Sequence, residues 1–558
     1  MDRRAFLATL AAGHLACLDG GAIEVDVVVY GGTSGGVAAA VQAARMGRSV
    51  ALVEAGRHLG GMTSGGLSAV DIGNPRTVGG VAREYFTRLA GRYGRELAWD
   101  RELDGVPTGG AFAVEPHAAE ELFEAFVEEA GVAVYFDQPL VRVEKTGASI
   151  DKIVTGEELV FSAKMFIDAT YEGDLLAKAG VSYTLTREAN EQYGETLNGV
   201  MFNPRYQPKV EWGVARPNGR RADGKGLWDR DIPLDPFLAE GDPSSGLLPL
   251  IHPDPVGPPG SEAPGVQAYC YRLCLTREPE NRIPLERPEG YDPAQYELVA
   301  RFIRACEAAG DDMDLRWFSK YDPIPGDKFD FNTATFGANL PTAGWGWSEA
   351  EPQERAAIGR QHESYHRGLL HFLASDERVP EKVRREMSAF GLCRDEFPET
   401  GGWPHQIYIR EGRRMVSDLV LTEHHCRGRE TAPRSVGLGS YGMDLHEIRR
   451  VVHNGMVWRE GKGGGRVPHP YPIGLGALTP RASECENLLV TFALSASHVA
   501  FGSTRMEPPL MILSQSAATA ACLAIDRGEP LQDLPYAELA ARLQADGQIL
   551  TWEPEAKA

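Results

Sequence analysis

The chain has 558 residues, 43% of them hydrophobic and 24% charged, proportions that fit a soluble globular protein of two or more domains with a large core. Its formal net charge of −21 removes any electrostatic reason to bind nucleic acid or an anionic membrane. No internal period of about 20–50 residues signals a repeat architecture, and there is no low-complexity tract.

The chain opens with Asp2-Arg3-Arg4-Ala5-Phe6-Leu7 and continues in apolar residues to Cys17, broken only by Thr9, Gly13 and His14. Two arginines, then x-Phe-Leu, then a short apolar run resemble a twin-arginine export signal over residues 1–22. This implies a periplasmic or cell-envelope location, reached by a protein already folded around its cofactor. The run is too short to cross a bilayer, and no later stretch approaches about 18 unbroken apolar residues, so no transmembrane span is expected. His14-Leu15-Ala16 makes a poor lipobox for Cys17.

The stretch Val25–Gly66 organises the rest. Val27 to Tyr30 reads as a buried parallel strand, Gly31, Gly32, Thr33, Ser34, Gly35 and Gly36 as a turn, Ala38 to Met46 as a helix, and Ser49 to Val53 as a second strand ending on Glu54. That order is a βαβ unit for a dinucleotide. The first glycine allows the tight turn, the last lets the helix press on the sheet, and backbone N–H groups at the helix start face a pyrophosphate. Glu54 is placed to accept both ribose hydroxyls. Thr33 replaces the middle glycine of the fingerprint, where its side chain crowds the phosphate while its hydroxyl offers a donor.

After Glu54 come Ala55, His58, Gly60, Gly61, Met62, Gly65 and Gly66. This second glycine group resembles the loop that flavoproteins of the glutathione-reductase type lay against FAD, which selects FAD over NAD. The resemblance makes His58 a residue beside the pyrophosphate, with covalent flavin attachment as the alternative.

Further along, Thr77 to Tyr93 and Pro116 to Ala130 read as amphipathic helices. Val132 to Phe136, which includes Val134, reads as a strand. Leu140 to Glu144, Lys152 to Thr155 and Glu158 to Phe161 suggest a small β-meander. Lys164 to Thr170 is another buried strand, and in flavoproteins of this type its end returns to the cofactor, which makes Asp168 and Thr170 candidates. The eight cysteines lack C-x-x-C or iron–sulfur spacing, so no metal site is expected. Residues 201–400 carry no cofactor signature. Arg205 to Pro264 reads as long loops, and helices are expected over Asp292–Ala308, Glu351–Leu373 and Pro380–Phe390. Trp345, Trp347, Trp403 and Phe336 read either as a stacking surface for a sugar or as core anchors.

From Gly401 the chemistry is denser. Arg410, Arg413 and Arg414 either hold an anionic substrate group or pair with carboxylates. His424 and His425 lack a visible third ligand. Asn487 to Phe492 reads as a buried strand, Ser495 to His498 as a polar turn, and Pro509 to Asp526 as a helix.

Tyr171-Glu172-Gly173-Asp174-Leu175, REANEQYGE from Arg187, RLCLTREPENR from Arg272, YIREGRRM from Tyr408 and the stretch from Ser495 to Ala521 together resemble one family. It is the FAD-dependent oxidoreductase family of bacteria, often loosely labelled putative xanthan lyase. Gly412, Ser514 and Thr519 depart from it. The resemblance implies bound FAD and no particular substrate. It also implies that the start of the last long helix faces the flavin's pyrimidine edge, bringing in Arg505, Glu507 and Gln515, and that His446 lies near the flavin.

The expected fold is α/β. A Rossmann-type FAD-binding domain, parallel sheet plus small β-meander, occupies 23–200 and 401–545. It is interrupted by a mainly helical substrate or cap domain at 201–400 and followed by a tail, 546–558. The expected function is hydride movement between a small organic substrate, such as a sugar or hydroxy acid, and flavin N5. His498, His446, Arg410, Arg414 and Arg505 are the catalytic candidates. There are two alternatives. One is an electron-transfer protein resembling the flavin-carrying component of heterodisulfide reductase, without its cysteine clusters. The other is a polysaccharide lyase. Electron acceptor and oligomeric state stay open.

Overall fold

A computed structural model describes residues 21–99, 112–202 and 232–553. The twin-arginine segment therefore lies outside the described residues, apart from its last two positions.

Strand β1 (Ile23–Tyr30) is followed by helix α1 (Ser34–Arg45) and strand β2 (Val50–Val53). The inner half of β1 is buried on both faces, as its unbroken Val27–Val29 run requires. Helix α1 starts on Thr33, whose hydroxyl accepts from the Gly36 N–H at 3.1 Å and donates to the Ala169 carbonyl at 2.8 Å. The departure from the glycine fingerprint is thus a helix cap that also ties the turn to the end of a neighbouring strand. Helices α2 (Gly80–Arg92) and α3 (Pro116–Ala130) follow, then strands β3 (Ala133–Tyr135), β4 (Leu140–Thr146), β5 (Ser149–Thr155) and β6 (Val160–Asp168). The expected meander is a β4–β5 hairpin whose third run is the opening of β6 itself. Val160 to Ser162 pairs antiparallel with β5, while the strand as a whole pairs in parallel with β1.

Between residues 232 and 400 the chain builds a second, five-stranded sheet. Its strands are β7 (Leu273–Thr276), β8 (Arg282–Pro284), β9 (Tyr321–Ile324), β10 (Lys328–Phe331) and β11 (Gly391–Cys393), in the antiparallel order β9-β10-β7-β11-β8. Helices α4 (Glu297–Ala308), α5 (Pro352–Ser375) and α6 (Glu381–Ser388) accompany it. The mainly helical expectation for this block omits the sheet. Its strands are three or four residues long, and Pro284 and Pro323 sit on the two edge strands, where a missing N–H is tolerated but the alternating pattern is erased. The apolar run Ile407 to Ile409 makes only a single bridge, Tyr408 to Cys270.

The chain then returns. Strand β12 (Leu488–Val490) pairs in parallel with the last residues of β6, which gives the parallel order β3-β2-β1-β6-β12 with the β4–β5 hairpin on the lower half of β6. Helix α7 (His498–Thr504) starts on a Ser497 cap, helix α8 (Glu507–Arg527) packs against α1, and α9 (Tyr536–Ala545) closes the core. By length and hydropathy α8 is the one helix among the described residues that could cross a membrane, but 94% of its apolar window is buried inside the protein, which makes it a core helix.

Candidate functional site

The glycine turn has no room for side chains. A Cβ on Gly36 would lie 1.8 Å from the Gly31 carbonyl oxygen, and one on Gly31 would lie 2.8 Å from the Ala169 carbonyl carbon, at a φ of +107°. Helix α1 therefore starts directly against the strand end. Its first-turn N–H groups have no acceptors within the helix and, with the helix dipole, form an anion site. Glu54, at the end of β2, accepts from the Gly32 N–H at 2.5 Å and the Gly56 N–H at 2.6 Å, and burial raises its pKa.

Gly31, Gly32, Thr33, Glu54, Ala55, His58, Gly61 and Thr170 line one cavity of about 180 Å³, together with Tyr171, Glu172, Arg355, His405 and Gln406. It lies at the carboxyl ends of the parallel strands, where such sheets bind ligands. A larger hollow of about 900 Å³ sits at the opposite end of the sheet, against Ile23 and Val132. Gly60 closes the cradle by donating its N–H to the Gly32 carbonyl at 2.7 Å. His58 is held by Glu120 at 2.9 Å and stacks on His405, with ring centroids 3.7 Å apart. The glycine cradle, the helix start and the buried carboxylate fit a dinucleotide.

The start of α8 meets the start of α1 beside this cavity. Glu507 accepts from the hydroxyls of Ser34 at 2.5 Å, Thr63 at 2.8 Å and Tyr171 at 3.0 Å, while Tyr171 in turn accepts from the Met62 N–H at 2.7 Å. Burial raises the Glu507 carboxyl above its ordinary range, and the three hydroxyls oppose the shift. Gly35 makes the packing possible: a Cβ there would stand 2.4 Å from both Phe492 and Ser514.

Other candidate residues sit elsewhere. Asp168 accepts from the Thr170 N–H and hydroxyl and from the Leu176 N–H, so it shapes the loop from inside, and burial raises it to about 6. Val134 is a core residue paired with Leu52. Gln515 accepts from the Val81 N–H at 2.8 Å and contacts Gln42 and Gln548, a brace between helices that is directed away from the cavity. Arg355 gave no signal in the sequence, yet it reaches from α5 to grip Asp174 at 2.6 and 2.7 Å.

A second polar cluster lies at the α7–α8 junction. The His498 ring places Nδ1 2.9 and 3.0 Å from the Glu411 carboxylate oxygens, while its Nε2 is buried without a protein partner. Burial raises the Glu411 carboxyl, but His498 and Arg414 outweigh it and hold it at about 2. Gln267 links the two candidate histidines: its N–H donates to Glu411 at 3.3 Å, and its Oε1 accepts from the His446 N–H at 2.9 Å. His446 contacts Asp444 through Nε2 at 2.9 Å, and Arg505 donates to the same carboxylate at 3.0 Å and approaches the Tyr408 hydroxyl at 3.5 Å. Burial, with Arg410 and Lys462, pushes the His446 pKa well below its ordinary value. Asp444 keeps 35% of its side-chain surface exposed. Arg410 donates to the Ala268 carbonyl at 2.5 Å and lies over the Tyr408 ring. Arg414 is committed to Glu188 at 2.5 Å, the Ala496 and Thr186 carbonyls, and Glu411, which makes it a buried brace.

Trp403 packs against Tyr271 and His366 in the interior, Trp347 donates to Glu172 at 2.8 Å, Trp345 lies against Gly265, and Phe336 is fully buried: all four are anchors. His424 contacts the Tyr193 carbonyl and His425 caps its own helix. Glu115, His117 and Glu396 converge as metal ligands would, but the Lys328 ammonium already sits among them, 2.7 Å from Glu115 and 2.6 Å from Glu396.

Fold and cradle together define a Rossmann-type dinucleotide-binding protein. The chain belongs to the FAD dependent oxidoreductase family, whose model matches residues 26–543, and FAD is its cofactor. Among solved structures it is similar to L-proline dehydrogenase from P. horikoshii, at 17% identity over 30% of this chain and 58% of that one, with a TM-score of 0.23. THI4 from Thermovibrio ammonificans shares 21% identity over 32% of this chain and 68% of that one, with a TM-score of 0.23. Glycine oxidase from Geobacillus kaustophilus shares 14% identity over 30% of this chain and 63% of that one, with a TM-score of 0.22. No curated protein matches the chain.

Proposed function

We propose that the protein dehydrogenates a small polar substrate, a sugar or hydroxy acid, with His498 as the proton acceptor. Bound FAD supplies the two-electron acceptor, at flavin N5. The residues placed to hold it are those of the Gly31–Gly36 turn, Glu54, and the Gly60–Met62 loop.

One observation carries the reading. Glu411 fixes the His498 ring through Nδ1, which leaves Nε2 as a buried lone pair with no protein partner. A carboxylate that orients an imidazole in this way sets its tautomer and stabilises the imidazolium formed when it takes a proton.

Anaerobic mixing of the flavin-loaded protein with a panel of sugars, hydroxy acids and amines tests the proposal. At least one class bleaches the flavin absorbance. If none does, the dehydrogenase reading fails. Export through the twin-arginine-type segment belongs to the same proposal and is tested by fractionating cells that express the full chain.

A further inference from the structure

The five-stranded sheet brings together two cysteines that the proposed chemistry leaves unused. Cys274 lies on β7 and Cys393 on β11. The antiparallel register pairs Gly391 with Thr276 and Leu392 with Leu275, which sets Cys393 directly opposite Cys274. Their sulfurs are 3.6 Å apart, and both residues are fully buried beside Ala113, Ile324 and Phe397.

Directly opposed residues of an antiparallel pair have Cα atoms about 4.5–5.5 Å apart, within the span of about 4.4–6.8 Å that a disulfide bridges. Shortening the sulfur separation to the bonded length of about 2.05 Å therefore asks for rotation of two short side chains and leaves the strands where they are.

We propose that Cys274 and Cys393 form an intramolecular disulfide when the protein meets a low-molecular-mass disulfide oxidant. One cysteine, as its thiolate, attacks a sulfur of the oxidant, whose S–S bond breaks and releases one thiol. The second cysteine thiolate attacks the protein sulfur of that mixed disulfide and releases the other thiol. Two protein sulfurs are oxidised, two oxidant sulfurs are reduced, and the two cysteine protons end on the released thiols.

Burial sets the pace. Attack needs a thiolate with access to the oxidant, and the closed sheet denies both, so the bond forms slowly in the native state and faster when the sheet opens transiently. The position has a consequence for the site. Cys274 also stands opposite Asp330 on β10, and Asp330 grips Arg272 through both oxygens and accepts from the Ser68 and Ala69 N–H groups. The bond thus ties β11 to β7, the direct neighbour of the strand whose Asp330 anchors the loop after Gly66. It also closes a chain segment of 119 residues, a long loop whose freedom is removed from the unfolded state.

The test uses the full chain incubated with oxidised glutathione, in native buffer and in urea below the unfolding transition. The protein is then quenched in acid, alkylated under denaturing conditions and mapped by peptide mass. The expected result is a peptide linking Cys274 to Cys393, lost on reduction, with a melting temperature about 5 °C or more above that of the reduced protein. Cys393→Ala gives neither the linked peptide nor the rise, whereas Cys306→Ala gives both. If Cys393→Ala fails to fold, the wild-type map decides alone. Alkylation of both thiols in both incubations, or linkage of either to a different cysteine, overturns the proposal.

Discussion

Glu507 accepts a 2.5 Å hydrogen bond from the hydroxyl of Ser34, a residue 473 positions earlier in the chain. Two helix starts, of α1 and α8, meet at that bond, and Thr63 and Tyr171 add further donors to the same carboxylate. Replacing Glu507 by Ala leaves three buried hydroxyls without their acceptor. The expected loss is about 2–4 kcal/mol of unfolding free energy, read from urea melts, together with a lower flavin-to-protein ratio after purification. Equal flavin content and stability in the variant would remove this carboxylate from the account of the site.

The glycine turn gives a sharper expectation. Gly36→Ala places a Cβ 1.8 Å from the Gly31 carbonyl oxygen, an overlap that neither backbone can relieve without moving α1 off the strand end. Gly47→Ala, with nothing within 4 Å of its Cβ, is the control for a glycine change as such, although its φ of +80° carries strain of its own. The Gly36 variant is expected to be isolated without flavin, and the Gly47 variant with a normal complement.

His498 and Glu411 separate in kinetics. His498→Gln removes the proton acceptor and is expected to slow anaerobic flavin reduction by a factor of about 10²–10⁴. Glu411→Gln keeps the imidazole but loses the charge that orients it, so its rate is lower than wild type and higher than that of the histidine variant. Stopped-flow reduction across pH, with urea melts as a check on folding, distinguishes the two. A histidine variant that reduces at the wild-type rate would assign proton transfer elsewhere.

Glu447 supplies the acid sensitivity. It is buried between Arg450 at 3.0 Å and Arg459 at 2.8 Å; burial raises its carboxyl, but the two guanidinium groups outweigh that and hold it at about 2, against an ordinary 4.5. A depressed folded value means that its contribution to stability is complete above about pH 4.5 and is lost as the pH falls towards 2. Asp168 acts in the opposite sense. Raised to about 6 from 3.8, it favours the folded state most below 3.8, and that contribution disappears as the pH rises through 6. Urea midpoints measured from pH 7 down to 3 are expected to fall steeply only in the lower half of the range. Glu447→Gln is expected to flatten that slope and to cost about 3–5 kcal/mol at neutral pH, because a charge held against buried Arg450 and Arg459 is removed.

The strand–glycine–helix stretch is readable because its determinants are local: an apolar run, a turn without side chains, a small-residue helix and an acid at the next strand end. The same holds for α3, whose bounds, Pro116–Ala130, follow from a proline start and a left-handed Gly131 stop. The five-stranded sheet is not readable, because its strands are short and some owe their pairing to partners more than a hundred residues away. The departures from the glycine fingerprint and from the family pattern become intelligible only in three dimensions. Thr33 caps a helix, Gly412 stands where a Cβ would lie 2.5 Å from the Tyr171 carbonyl oxygen, and Ser514 fills the space that Gly35 leaves. Gln515 belongs to a helix brace for a related reason: a motif assigns a residue to a helix start, but only packing decides which way its side chain turns. Arg355 and Asp174 are a distant pair of ordinary charged residues until the fold brings them together.

The meeting of the first and last thirds of the chain fixes the order in which a ribosome can deliver a working protein. The glycine turn is translated long before Glu507, the residue whose carboxylate ties its Ser34 to Thr63 and Tyr171. A nascent chain halted before Glu507 therefore leaves the hydroxyls of Ser34, Thr63 and Tyr171 without the acceptor they share.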